Sequence, residues 1–267
     1  MSSFLISFVI SAVLTLLVIR HAHFHETGLD VDLDGVQKVH SHAVPRIGGL
    51  CIFATVIISS GISVLRSNEL GVSIGLLLVC SSVAFLGGIL EDFTRRVSPT
   101  RRLVLTLIAA LLGYFLLDAR IEHIHWIGGE WWIRFMWISL PLTLFAVAGI
   151  AHAVNIIDGF NGLASVVTIC MLLSLGYVAL QVNDTFVLVV ALMVAGATAG
   201  FFIWNFPAGM IFLGDGGAYF LGFILGELSI LLVMRNPEVS SWYALLLLIY
   251  PVFETLFSVY RRVFLRG

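Results

Sequence analysis

The sequence predicts an all-α fold, a polytopic bundle of transmembrane helices, and three observations predict it. Of the 267 residues, 60% are hydrophobic and only 11% are charged, against about 25% charged in a soluble domain. The mean hydropathy is +1.06. The apolar residues fall into nine runs, each long enough to cross a hydrocarbon layer about 30 Å thick. Such a composition excludes a soluble enzyme and a disordered chain. A net charge of −2 and a pI near 6.4 give no footprint for a nucleic-acid partner.

The runs cover positions 4–20, 46–65, 70–90, 102–118, 135–153, 162–180, 185–204, 217–234 and 241–260. Leu, Val, Ile and Phe mixed with many glycines suit helices that pack closely in lipid. The first run has no basic leader and no A-x-A-like site, and it ends in Arg20 and His21, so it reads as a first helix rather than a cleaved signal. Cys51, Cys80 and Cys170 lie within apolar runs, form no CxxC pair, and read as packing residues.

Orientation follows from the basic residues. With the N-terminus outside, Arg20, Lys38, Arg46, Arg95, Arg96, Arg101, Arg102, Arg261, Arg262 and Arg266 fall inside, and Arg66, Arg120, Arg134 and Arg235 fall outside. The N-terminus is therefore expected outside and the C-terminus in the cytoplasm. The longest outer connection carries His123, His125, Trp126, Trp131 and Trp132, and its tryptophans read as interfacial anchors. The inner connections hold nearly every polar cluster, so chemistry is expected on the cytoplasmic face.

Four clusters stand out. In the first, Lys38, His40 and Arg46 sit where they would contact a phosphate at the membrane surface, and Gly48-Gly49 permit close backbone approach. In the second, Glu91 and Asp92 end an apolar run; adjacent helical positions point apart, so one of them is expected at a site. Arginines including Arg101 follow, enough to hold an anion. In the third, Asn155, Asp158 and Asn161 recur every three residues, a spacing that places them on one helical face. In the fourth, Asp215 lies among glycines with no base near it in sequence. An isolated carboxylate there calls for a cation, and Mg²⁺ uses one or two carboxylates and completes its shell with phosphate and water. Asp92, Asp158 and Asp215 are expected to converge on one divalent cation, which points to phosphoryl transfer.

The stretches QKVHSHAVPRIGGL, GGILEDFTRRVSPTRRL, AVNIIDGFNGLAS, WNFPAGMIFLGDGGAYFLGF and PVFETLFSVYRR, in that order, resemble the polyprenyl-phosphate N-acetylhexosamine-1-phosphate transferases, glycosyltransferase family 4. The resemblance implies transfer of a sugar-1-phosphate from a UDP-N-acetylhexosamine to undecaprenyl phosphate, with Mg²⁺ or Mn²⁺, at the cytoplasmic face of a bacterial inner (plasma) membrane. It implies Asp92 at the lipid phosphate beside Glu91, and Asn155 and Asp158 at the nucleotide sugar. It also implies Asp215 as the metal ligand, assisted by Asp158, and Lys38, His40 and Arg46 near phosphate, with Asn161 and Arg101 as further substrate contacts. Asn161 stands where the muramyl-pentapeptide branch has Asp, which argues against that substrate. Residues 1–267 are expected to form one integral membrane domain, with the family's HxHH-containing loop and last helix expected beyond Gly267. A homodimer is compatible with the sequence. The rival reading is a proton- or ion-coupled transporter using Glu227 and Glu254 within spans.

Overall fold

The computed structural model describes residues 2–25, 29–30, 44–64, 68–124 and 130–264. Lys38, His40, Arg66, His125, Trp126 and Arg266 lie outside the described residues. The apolar runs become helices α1 (Ser2–His25), α2 (Gly48–Val64), α3 (Asn68–Thr94), α4 (Pro99–Leu116), α5 (Met136–Ile157), α6 (Leu163–Gln181), α7 (Thr185–Asn205) and α8 (Gly214–Arg235). The ninth run is split into α9 (Ser241–Leu247) and α10 (Ile249–Phe264). Strand is limited to a two-residue antiparallel pair, β1 (Leu29–Asp30) with β2 (Val44–Pro45).

Nine complete spans are more than the described residues show. Seven helices (α1 and α3 to α8) are long and apolar enough to cross a membrane. The α9–α10 pair makes an eighth only across a bend of 57°, and α2, at 17 residues, is shorter than each of the seven. Proline explains the bend: Pro251 has no N–H for the carbonyl of Leu247, and its ring crowds the preceding turn.

Helix α8 is the axis of the bundle. Every residue from Gly216 to Val233 is buried, and the helix packs chiefly on α2, α3 and α5. Small residues make this possible, because close backbone approach replaces the hydrophobic drive that lipid removes. A Cβ on Gly49 would strike the main chain of Gly217, and one on Gly88 would strike that of Asp215. The α1–α7 seam uses the same device at Gly196 and Gly200, which lie against the main chain of Phe4 and Phe8. Trp204 Nε1 donates to the carbonyl of Ala12 across that seam at 3.0 Å.

The helices run past the ends of their apolar stretches. Helix α3 continues through Glu91 and Asp92, α5 through Asn155, and α4 and α8 begin before Arg102 and Asp215. Ser98 caps α4 by accepting from the Arg101 amide, with Pro99 in the first turn where a missing N–H costs nothing. Glu91, Asp92, Arg102, Asn155 and Asp215, read as parts of loops, are thus in terminal helical turns.

Gly88→Ala forces a methyl group against main chain, an overpacking that costs about 1–3 kcal/mol. It is expected to lower the thermal unfolding midpoint of the detergent-solubilised protein. Gly75→Ala in the same helix, where a Cβ meets nothing within 4 Å, should leave the midpoint unchanged or slightly higher.

Candidate active site

The polar end of the bundle is built around the first turn of α8. A helix N-terminus exposes four amide N–H groups without helical partners. Here Asp92, on the last turn of α3, takes two of them: its Oδ1 accepts from Asp215 N at 2.8 Å and its Oδ2 from Gly216 N at 2.9 Å. Gly214 turns the chain into this helix at φ +77°, with the Asp92 carboxylate and the carbonyl of Arg46 where a side chain would stand.

The segment before Asp215 is strapped to the start of α2. Phe212 N donates to Pro45 O at 2.9 Å, Gly48 N to Phe212 O at 2.9 Å, and Gly49 N to Leu213 O at 2.8 Å. The strap brings in Arg46, whose Nη2 lies 3.9 Å from Asp215 Oδ1. Asn205, at the end of α7, braces the same region from below. Its Oδ1 accepts from Gly162 N and its Nδ2 donates to Ile211 O, both at 2.7 Å.

Asp215 is the point of convergence. Its Oδ1 accepts from Asn155 Nδ2 at 3.1 Å, and its Oδ2 is paired with Arg102 Nη1 in a close, charge-assisted contact. The side chains of Arg102 and Asp215 are 18% and 14% exposed, so the pair is largely shielded, whereas Arg46 at 40% reaches toward solvent. The carboxylate that looks isolated in the sequence therefore meets two guanidinium groups in the fold. Asp158 caps the C-terminal end of α5. Burial, with the neighbouring Asp215 carboxylate next in weight, pushes its carboxyl well above the usual carboxylate range; Arg46 opposes the shift and Asp92 adds to it.

Other expected site residues are placed differently. Glu91 turns to the α3–α4 connection, where Oε2 accepts from Val97 N at 2.7 Å. Arg101 is exposed beside the α4 cap, while Arg102, one position on, reaches Asp215. Asn155, Asp158 and Asn161 do not share one helical face, because α5 ends at Ile157 and Asn161 follows in the turn before α6. The residue at the start of α6 is Gly162, and its amide is served by the Asn205 side chain. Lys38 and His40 lie outside the described residues.

Arg102 was legible from periodicity: Thr106, Ala109, Ala110 and Gly113 form the buried stripe of α4, and Arg102 lies one turn before Thr106 on it. Among the described residues no group of three His, Cys, Asp or Glu is placed to hold a metal ion. Asp92 spends both oxygens on amides, so the three aspartates meet at the head of α8 without forming a three-carboxylate cage. Asp158 and Asp215 are the other two carboxylates of the cluster, and Asp215 already meets Asn155 and Arg102. Glu227 and Glu254 do not share a site: Glu227 is fully buried against Gly113, and Glu254 lines a cleft with Arg261 between α10 and the α5–α6 turn.

A membrane bundle with a charged cluster at one end is the class these features define. Residues 74–233, more than half of the chain, match the model of glycosyl transferase family 4, and the chain belongs to that family. Among its relatives is a Bacillus subtilis protein named "Probable undecaprenyl-phosphate N-acetylglucosaminyl 1-phosphate transferase", 29% identical over 237 residues, covering 87% of this chain and 64% of the relative. The phospho-N-acetylmuramoyl-pentapeptide-transferases of Streptococcus agalactiae serotype Ia and Streptococcus uberis are also 29% identical. They cover 92% and 94% of this chain and 76% and 78% of their own lengths. The chain thus spans about two thirds to three quarters of these relatives. They support an enzyme of the polyprenyl-phosphate sugar-phosphate transferase kind, embedded in a membrane.

Asp92→Ala strips two charge-assisted hydrogen bonds from buried amides, and the loss of a helix cap alone costs about 0.5–2 kcal/mol. The variant is expected to unfold at clearly lower temperature or denaturant concentration. Asp92→Asn keeps the shape but only one acceptor oxygen, and should fall between Ala and the parent in the same measurement.

Proposed function

We propose that this protein transfers an N-acetylhexosamine-1-phosphate from a UDP-sugar to undecaprenyl phosphate at the cytoplasmic face of a bacterial inner membrane, releasing UMP. This would be the first membrane step in building a cell-surface polysaccharide such as an O-antigen, a capsule or a cell-wall polymer. The bias of basic residues supports an outside N-terminus and an inside C-terminus, with the polar end of the bundle facing the cytoplasm. The observation that carries the reading is the convergence of Arg102 from α4, Asn155 from α5 and Arg46 from the strap before α2 on Asp215, in a chain of this family.

In the reaction, an oxygen of the lipid phosphate forms a bond to the sugar-linked phosphorus, and the bond from that phosphorus to the bridging oxygen of UMP breaks. Arg102 suits the diphosphate: among the described residues its buried Nε has no protein acceptor, and a guanidinium offers a planar fork to phosphate. Arg46, more exposed, suits the outer phosphate oxygens. Asn155 fixes the orientation of the Asp215 carboxylate. Asp92 holds the first turn of α8 so that Asp215 is correctly aimed, and the second lone pair on each of its oxygens stays available to orient the lipid phosphate or take its proton.

Asp92, Asp158 and Asp215 outnumber Arg46 and Arg102, while both substrates bring phosphate. That imbalance fits a hard divalent cation, Mg²⁺ or Mn²⁺, held by Asp215 and Asp158. When bound it supplies neutralising charge to the diphosphate oxygens.

Purified protein in nanodiscs with undecaprenyl phosphate is expected to release UMP from at least one member of a panel of labelled UDP-N-acetylhexosamines, N-acetylglucosamine and 6-deoxy sugars included. Asp215→Asn should reduce release by more than 100-fold, on the order expected for lost electrostatic stabilisation, and chelation of divalent ions should do the same. Release by Asp215→Asn at the parent rate would count against the assignment.

The raised Asp158 pKa yields a separate expectation. Because folding raises it, the folded state loses stability as pH rises from the unfolded carboxylate value toward the folded one. A cation at Asp158 and Asp215 would restore that loss. Mg²⁺ should therefore raise the unfolding midpoint by an amount that grows as pH rises above the ordinary carboxylate range, and Asp158→Asn should remove the pH dependence of that gain.

A further inference from the structure

One turn deeper than Asp215, the same three helices build a second polar layer. On α4, Thr106 follows Arg102 by four residues; on α5, His152 precedes Asn155 by three; on α8, Tyr219 follows Asp215 by four. Each spacing keeps the pair on one helical face, about 5.4 Å apart along the axis. The upper layer is Arg102, Asn155 and Asp215, and the lower is Thr106, His152 and Tyr219. Thr106 and Tyr219 are only 1% and 2% exposed, so the lower layer closes the floor of the site against the apolar interior.

The hydrogen bonds of the lower layer have a fixed direction. The Thr106 hydroxyl donates to Leu103 O at 2.9 Å, so toward His152 its oxygen accepts. His152 Nε2, 3.3 Å away, therefore carries the ring proton. Nδ1 is left with its lone pair facing Tyr219 Oη at 3.5 Å, and the Tyr219 hydroxyl donates to it over a long bond. The two rings meet edge to face, with centroids 4.9 Å apart. The chain Tyr219 to His152 to Thr106 to Leu103 thus ties α8, α5 and α4 together with each donor used once. Only a ring or group offering an acceptor on one side and a donor on the other completes it.

We propose that His152 is a positioning residue for the site above it, setting the spacing of α4, α5 and α8 so that Arg102, Asn155 and Asp215 meet. The inference rests on the function proposed above, since its kinetic reading assumes that those three residues act on the nucleotide diphosphate. His152 touches none of the reacting atoms. It acts through helix placement, and small errors of placement are amplified: about 1 Å at a reacting centre costs on the order of 100-fold in rate.

The test compares His152→Leu, which removes both hydrogen bonds, with His152→Gln, whose amide offers one acceptor and one donor. For UMP release, His152→Leu is expected to lower kcat/KM about 10- to 100-fold, as for other supporting residues, with KM for the UDP-sugar raised, and His152→Gln to recover most of it. A parent-like His152→Leu overturns the proposal. So does an equal loss in both variants at unchanged KM, which marks fold damage alone. A second readout needs no substrate: the unfolding-midpoint shifts of His152→Leu and Asp215→Asn, alone and combined. Layers that position one another give a combined shift that departs from the sum, and strict additivity overturns the proposal. If the parent releases no UMP from any sugar, the proposed reaction fails, and this cycle still decides the role of His152.

Discussion

A carboxylate seated on two backbone amides holds the rest of this molecule's polar end in place. A helix start shielded by protein must find partners for its free N–H groups, and each one left unsatisfied costs about 1–3 kcal/mol. Asp92 meets two of them on α8, and the positive end of the helix dipole favours its charge there. Because α3 and α8 are in contact along much of their length, this clamp fixes more than a local turn. It sets how far α8 slides along α3, and so the height at which the Asp215 side chain leaves the helix. Gly88 and Gly49 bring the neighbouring backbones close enough for the clamp to form, so small residues and one acid work as a single device.

Around that fixed point the charges are arranged in opposition. Asp215 draws one guanidinium from α4, a second from the strap before α2, and an amide from α5. None of these is close to it in sequence, since the Arg102 contact spans 113 positions. A shielded carboxylate with partners on several sides keeps a defined rotamer, as a group does when it must present an oxygen or aim a guanidinium reliably. Asp158 faces the same cluster from a buried position, and burial first, then the Asp215 carboxylate, pushes its carboxyl upward. The two acids thus differ in environment although both lie at helix ends.

The membrane class, the location of the helices and the family motifs are legible in the amino-acid sequence because hydropathy and short-range spacing carry them. Asp215, Asn155 and Arg46 are legible too, as polar residues in places where apolar ones are expected. What hydropathy conceals is where a helix ends once its terminal groups find partners: α3 runs on through Glu91 and Asp92 because their carboxylates are taken up by α8 and by Val97. The choice between Arg101 and Arg102 is a question of helix phase, and the buried stripe of α4 answers it. The use of Asn205 at Gly162 is different, because a contact across 43 positions leaves no local trace. The split of the last run at Leu248 has a local mark in Pro251, which the apolar composition around it masks.

Helix α8 is enclosed on all sides by protein, and that enclosure bears on how the chain is assembled. A rod that meets no lipid in the finished bundle is released from the composition that lipid demands, and accordingly carries five glycines in its first thirteen residues, a tyrosine and Glu227. The same rod is poorly suited to stand alone in hydrocarbon, where an acidic side chain at the centre of an inserting segment is costly. Its neighbours must therefore be waiting, or must gather around it as it leaves the translocon. Biogenesis then becomes a joint event around α8 rather than a succession of independently stable insertions.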